Sequence, residues 1–220
     1  MDCLFEPYIS DNFLIDLTML FWGLFAVGVV MTLLIYFGVV SQRLRYPFLG
    51  TLFFFILILS KHYQLDLDYL GFGKSSLAGL QVYIIVTIAG ILFIHKSGIR
   101  DDIGKEYRNK QNQINSLIFY TLASSPIQEF VFRAFPLAVF MKFGWWPVWY
   151  VLFSATAFSL AHVFIRDRYT RILTFGMGLI WAYCFYLFPD LLLVSISHTV
   201  MGVMLYNSNL WTFNSKIFLD

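Results

Sequence analysis

Apolar residues run along this chain in long stretches separated by short polar segments. The stretches fall at about 13–40, 47–60, 77–95, 114–141, 146–165, 172–188 and 190–206. Most have the length a helix needs to cross a hydrocarbon core of about 30 Å, roughly 20 residues. The run at 47–60 is short, and a run of that size also suits a re-entrant segment. The pattern predicts an all-α polytopic membrane bundle of seven to eight transmembrane helices. Residues 1–220 read as one domain, without internal repeat, low-complexity tract or linker. The longest polar segment, 96–113, reads as a cytoplasmic loop with some amphipathic helix.

Composition sharpens this reading. Hydrophobic residues make up 59% of the chain and aromatics 20%, charged residues only 13%, with a mean hydropathy of +0.71. A soluble domain carries about 25% charged residues. The net charge of +2 is small, and the basic residues are spread over short loops, which argues against nucleic acid as a partner. Cys3 and Cys184 give no disulfide framework and no C-x-x-C metal spacing. The first twelve residues hold acids but no Lys or Arg, so the first run reads as a retained span, not a cleaved signal. With seven spans and the N-terminus outside, eleven of the fifteen Lys and Arg fall on the inner side. The positive-inside rule then places the C-terminus in the cytoplasm, and the small chain suits a bacterial inner (cell) membrane.

Three places break the apolar pattern. In SSPIQEFVFR (124–133), Glu129 and Arg133 lie four residues apart, share a helix face and can pair, while Gln128 turns about 100° away. Pro126 disfavours helix at Ser125, so 114–124 is expected to bend or lie flat. In FSLAH, Phe158 and His162 have the same four-residue spacing. In LLLVSISHTVMG, His198 lies deep in the last run, beside Ser195 and Ser197, which can bond to backbone carbonyls or simply pack. Each group alone is compatible with a structural role: an ion pair between helices, or a histidine near a helix end. Helical rise nevertheless places His162, Glu129 and His198 roughly 6, 10 and 16 Å from the inner face. One carboxylate and two imidazoles at such depths on three helices can form an acid–base site for water activation. The same trio is also a two-histidine, one-carboxylate zinc set.

These motifs resemble those of the CPBP intramembrane proteases. This is the CAAX protease and bacteriocin-processing (Abi) family, which includes the type II CAAX prenyl endopeptidases. The family pattern is E-E-x-x-x-R, then F-x-x-x-H, then H-x-x-x-N on successive spans. Here it is matched by Gln128-Glu129-x-x-x-Arg133, Phe158-x-x-x-His162 and His198-x-x-x-Gly202 within residues 114–206. The resemblance implies hydrolysis of a peptide bond in a membrane-associated protein or peptide, inside a helical bundle open to the membrane and to water. It implies a glutamate- and histidine-activated water and no metal cofactor. Glu129 would then activate water with His162, His198 would support the water or oxyanion, and Arg133 would orient Glu129. Gln128, Phe158 and Gly202 would line the site.

Two positions depart from the pattern. Gln128 replaces the first glutamate, the residue usually credited with water activation, and Gly202 replaces the asparagine. Either Glu129 has taken over as base, or the protein is a non-catalytic membrane scaffold or regulator. A transporter using Glu129 as a proton relay is disfavoured by the lack of an inverted repeat.

Overall fold

The computed structural model describes residues 11–41, 44–73, 75–96, 124–163 and 168–207. The expected amphipathic segment at 96–113, the start of the 114–141 run and both termini lie outside the described residues, apart from Lys96. Every regular element among the described residues is helical. The order is α1 (Asp11–Tyr36), α2 (Arg45–His62), α3 (Leu77–Lys96), α4 (Ser125–Glu129), a π turn (Phe130–Ala134), α5 (Phe135–Lys142), α6 (Pro147–Leu160), α7 (Arg168–Leu187) and α8 (Leu191–Asn207). The unit α4–π–α5 is one continuous rod. Among the described residues, seven helical rods therefore fall on the seven apolar runs, and the short second run forms one unbroken helix.

Two of the helices are long and apolar enough to cross a membrane, at Ile15–Tyr36 and Leu77–Ile94. Four more are apolar but shorter, at Pro47–His62, Pro147–Leu160, Arg171–Leu187 and Leu191–Met204. The distribution of polarity is the reverse of a water-soluble domain. Glu129 and Arg133 are sealed in the centre, while Ile84, Ile85, Ile88 and Leu92 of α3 point outward. An apolar exterior around buried charges is what a hydrocarbon surround selects.

Local chemistry sets the helix ends. The first helix stops at Tyr36, short of the expected 40. Gly38 takes φ +75°, and the N–H groups of Val39 and Val40 turn back to Leu34 O. Asp190 caps α8, its Oδ1 accepting from Leu193 N at 2.9 Å, while Ser75 donates to its Oδ2. Beside it, Gly71 sits at φ +80°, and a Cβ there would lie 2.7 Å from Leu191 N. Only glycine allows the bond from Leu191 N to Gly71 O that ties the segment after α2 to the start of α8. Pro126 does not break the helix at Ser125 as expected. Ser124 is already helical (φ −65°, ψ −51°), and Pro126 occupies the first turn, where its missing N–H costs nothing.

Helices α6 and α7 pack closely at Gly178. A Cβ on Gly178 would sit 3.2 Å from Ala155 Cα. The same two helices carry Phe158 and Trp181, whose rings stand edge-on with centroids 6.2 Å apart.

Candidate active site

The α4–α5 rod carries the first motif, and Pro136 shapes it. Proline lacks an N–H and its ring clashes with the carbonyl four residues earlier, that of Phe132. The backbone widens into the π turn over Phe130–Ala134, ending two residues before Pro136. Phe132 O is then taken by Ser154 Oγ of α6 at 2.6 Å. A helix defect is thereby converted into a hydrogen bond between α6 and the rod that bears the site.

Glu129 and Arg133 pair as their spacing predicts. Arg133 Nη1 donates to Glu129 Oε1 at 3.0 Å, and both side chains are fully buried. The same oxygen accepts from His198 Nδ1 of α8 at 2.6 Å. Glu129 Oε2, Arg133 Nε and Arg133 Nη2 have no hydrogen-bond partner among the described residues. The guanidinium instead lies over Phe158, with Cζ 3.9 Å from the ring centroid, and 5.6 Å from Trp181. Aromatic faces are a favourable surround for a desolvated cation.

The two histidines have defined protonation geometry. His162 Nδ1 lies 2.8 Å from Phe158 O, and a carbonyl can only accept, so Nδ1 carries the proton. The carboxylate of Glu129 fixes the proton of His198 on Nδ1 in the same way. In each neutral ring Nε2 is then the basic nitrogen. Both rings pack on Phe158, at centroid distances of 4.5 Å for His162 and 5.4 Å for His198. Phe158 is thus the hub that touches Arg133, His162 and His198.

Two cavities meet at His162. The larger, about 110 Å³, lies between α1, α2, the α4–α5 rod and α6, with walls such as Phe21, Met31, Leu52 and Phe132. Its polar side chains are Thr32, Gln128 and His162. The smaller, about 30 Å³, is lined by Phe158, His162, Trp181, His198, Met201 and Gly202, among others. A water molecule needs about 10–15 Å³ of such space, so the chamber has room for one or two.

Every sequence-selected residue lies at this one locus, but in different surroundings. Gln128 faces the large cavity and bonds through Nε2 to Ser124 Oγ at 2.7 Å. Glu129, expected to act on water directly, lines neither cavity and touches the chamber through His198. Gly202, expected to be part of the site lining, borders the small chamber. No group of three metal-ligating side chains is assembled among the described residues. Glu129 Oε1 and His198 Nδ1 face each other directly, at hydrogen-bond distance. Residues with no sequence motif also enter. Trp181 stacks on His198 at 5.0 Å, and its indole N–H donates to Ser197 Oγ at 3.0 Å. Ser195, by contrast, bonds back to Leu191 O at 2.5 Å, the local carbonyl contact expected of a helical serine.

Residues 110–204 match the family model described as "Type II CAAX prenyl endopeptidase Rce1-like". This segment is Rce1-like. It takes in the whole polar cluster, from Ser124 to Gly202, and the family is one of proteases. The Rce1-like match agrees with the CPBP resemblance of the three motifs. No curated protein and no solved structure matches the chain.

Proposed function

We propose that the protein is an intramembrane endopeptidase that hydrolyses a peptide bond of a membrane-associated protein or peptide. The observation that carries this reading is the pair of imidazoles on one water-sized chamber, each with its Nδ1 proton fixed by an acceptor. His162 also borders the large apolar cavity, where an apolar part of the substrate would bind next to Gln128.

The geometry supports the following roles. Water in the chamber attacks the scissile carbonyl carbon while His162 Nε2 takes its proton. The same imidazolium returns that proton to the departing amide nitrogen. Glu129, sealed from both cavities, holds His198 in its tautomer in place of acting as the base itself. Arg133 supplies a fixed positive field toward the developing oxyanion, and aromatic walls keep that field strong. Gln128 orients water or substrate by hydrogen bonding. All seven rods are read as membrane-crossing, with the N-terminus outside, the C-terminus cytoplasmic and the bacterial inner membrane as the site of action. Nucleic acid plays no part.

A second reading has its own support. Gln128, which cannot act as a base, occupies the cavity wall where the family pattern has a glutamate. A non-catalytic scaffold would bind the same apolar segment without cleaving it.

Purified protein in liposomes, given a membrane-anchored peptide, separates the two. For the enzyme, wild type cleaves, His162→Ala and His198→Ala abolish cleavage, and Gln128→Ala slows it. Wild type silent toward a substrate processed in its own cells, with activity appearing only in Gln128→Glu, refutes the enzyme and supports the scaffold.

A further inference from the structure

A chain of hydrogen bonds leads away from the site to α3. Thr87 Oγ1 is 2.7 Å from Tyr83 O, and the carbonyl only accepts, so the single threonine proton is committed there. Ser197 Oγ lies 2.8 Å from Thr87 Oγ1 and must donate across that contact. Ser197 in turn accepts the indole N–H of Trp181 at 3.0 Å. The bonds therefore run in one direction, from Trp181 N–H to Ser197 to Thr87 to the Tyr83 carbonyl. Every member's donor is used.

What the chain fixes is the indole plane. Trp181 stacks on His198 at 5.0 Å and 30° and stands edge-on to Phe158 at 6.2 Å. Its ring is also 5.6 Å from Arg133 Cζ. Rotation of the indole would release both His198 and Arg133 from one of their walls. Glu129 restrains His198 only through Nδ1, which leaves the ring free to swing about that bond. Phe158 edge-on at 5.4 Å and the stack on Trp181 together restrict that swing. Ser197 precedes His198 directly, so α3 grips α8 beside the imidazole.

We propose that Thr87 is a positioning residue: its hydroxyl, through Ser197 and Trp181, sets the ring plane of His198. This rests on the reading of His198 as part of the active site. Thr87 is half-buried on α3, away from both cavities, and touches none of the reacting groups.

The test compares Thr87→Val, which keeps the shape but removes the hydroxyl, with Thr87→Ser, which keeps the hydroxyl. For the membrane-anchored substrate, Thr87→Val should lower kcat about tenfold, the worth of one buried hydrogen bond, with KM unchanged. Thr87→Ser should retain at least half the wild-type kcat. A second arm needs no activity. In ring-labelled protein in micelles, Thr87→Val should move the Trp181 indole N–H and the His198 ring resonances and leave the other five indole signals in place. Trp181→Phe identifies the indole signal by its loss. Equal behaviour of the Val and Ser variants in both arms overturns the proposal. Resonance shifts without any wild-type cleavage uphold the positioning and count against the protease reading alone.

Discussion

Removing the charge of Glu129 strands a buried cation, and the cost can be worked from the contacts. Arg133 is cationic at any physiological pH, and it is fully buried, with Glu129 as its ion-pair partner. Glu129→Gln keeps the shape and an acceptor for His198 but leaves the guanidinium uncompensated. Breaking a buried pair from one side costs about 3–5 kcal/mol. Arg133→Met strands the carboxylate and should cost about as much. Independent effects would sum to roughly 6–10 kcal/mol. The double variant strands neither charge. Gln at 129 still accepts from His198, and Met at 133 fits between Phe158 and Trp181, so its loss should fall below that of either single variant. The coupling energy is then at least about 3 kcal/mol. Thermal and denaturant unfolding in one fixed detergent would measure it for the four proteins. A coupling below about 0.5 kcal/mol, the scatter seen between independent sites, would refute the buried ion-pair account.

Two further outcomes are expected. Ser154→Ala leaves Phe132 O buried without its donor and should cost about 1–3 kcal/mol; adding Pro136→Ala supplies a helical N–H for that carbonyl and should recover part of the loss in the same unfolding assay. Elemental analysis of the purified protein should find no stoichiometric zinc, because the closest carboxylate–imidazole contact is a direct hydrogen bond; zinc lost together with activity on chelation would instead make Glu129, His162 and His198 ligands.

The rods and their order were legible because apolar length is a strong signal and polar segments separate one run from the next. The Glu129–Arg133 pair was legible as well, since a four-residue spacing survives the π turn. The distribution of roles within the site was not. Gln128 and Glu129 are neighbours in sequence, and only packing reveals that one faces a cavity while the other faces α8. Trp181 left no trace in the pattern, because a tryptophan in an apolar run reads as packing. Ser197 and Ser195 look alike in sequence. One closes a local helical bond, and the other joins α3 to α7 through contacts more than ten residues distant. The π turn was also hidden, although Pro136 marked the carbonyl that would need a partner.

The two departures from the family pattern acquire a physical meaning from this geometry. Successive helical residues differ by about 100° in direction, so positions 128 and 129 answer to separate demands. A carboxylate at 129 is required by the fold itself, since Arg133 is sealed beside it and no water can compensate that charge. Position 128 carries no such obligation. It borders an apolar cavity, and its side chain is already held by Ser124. A glutamine there keeps the hydrogen bond and avoids placing a second negative charge next to Glu129. At the opposite edge, Gly202 borders the chamber that His162 and His198 share. In the proposed enzyme the changes act together: acid–base work moves from the cavity wall to the two imidazoles that border the small chamber. Catalysis by the proposed mechanism then depends on how firmly the rings are held, which makes Phe158, Trp181 and the hydroxyl chain to Thr87 as consequential as the charged residues.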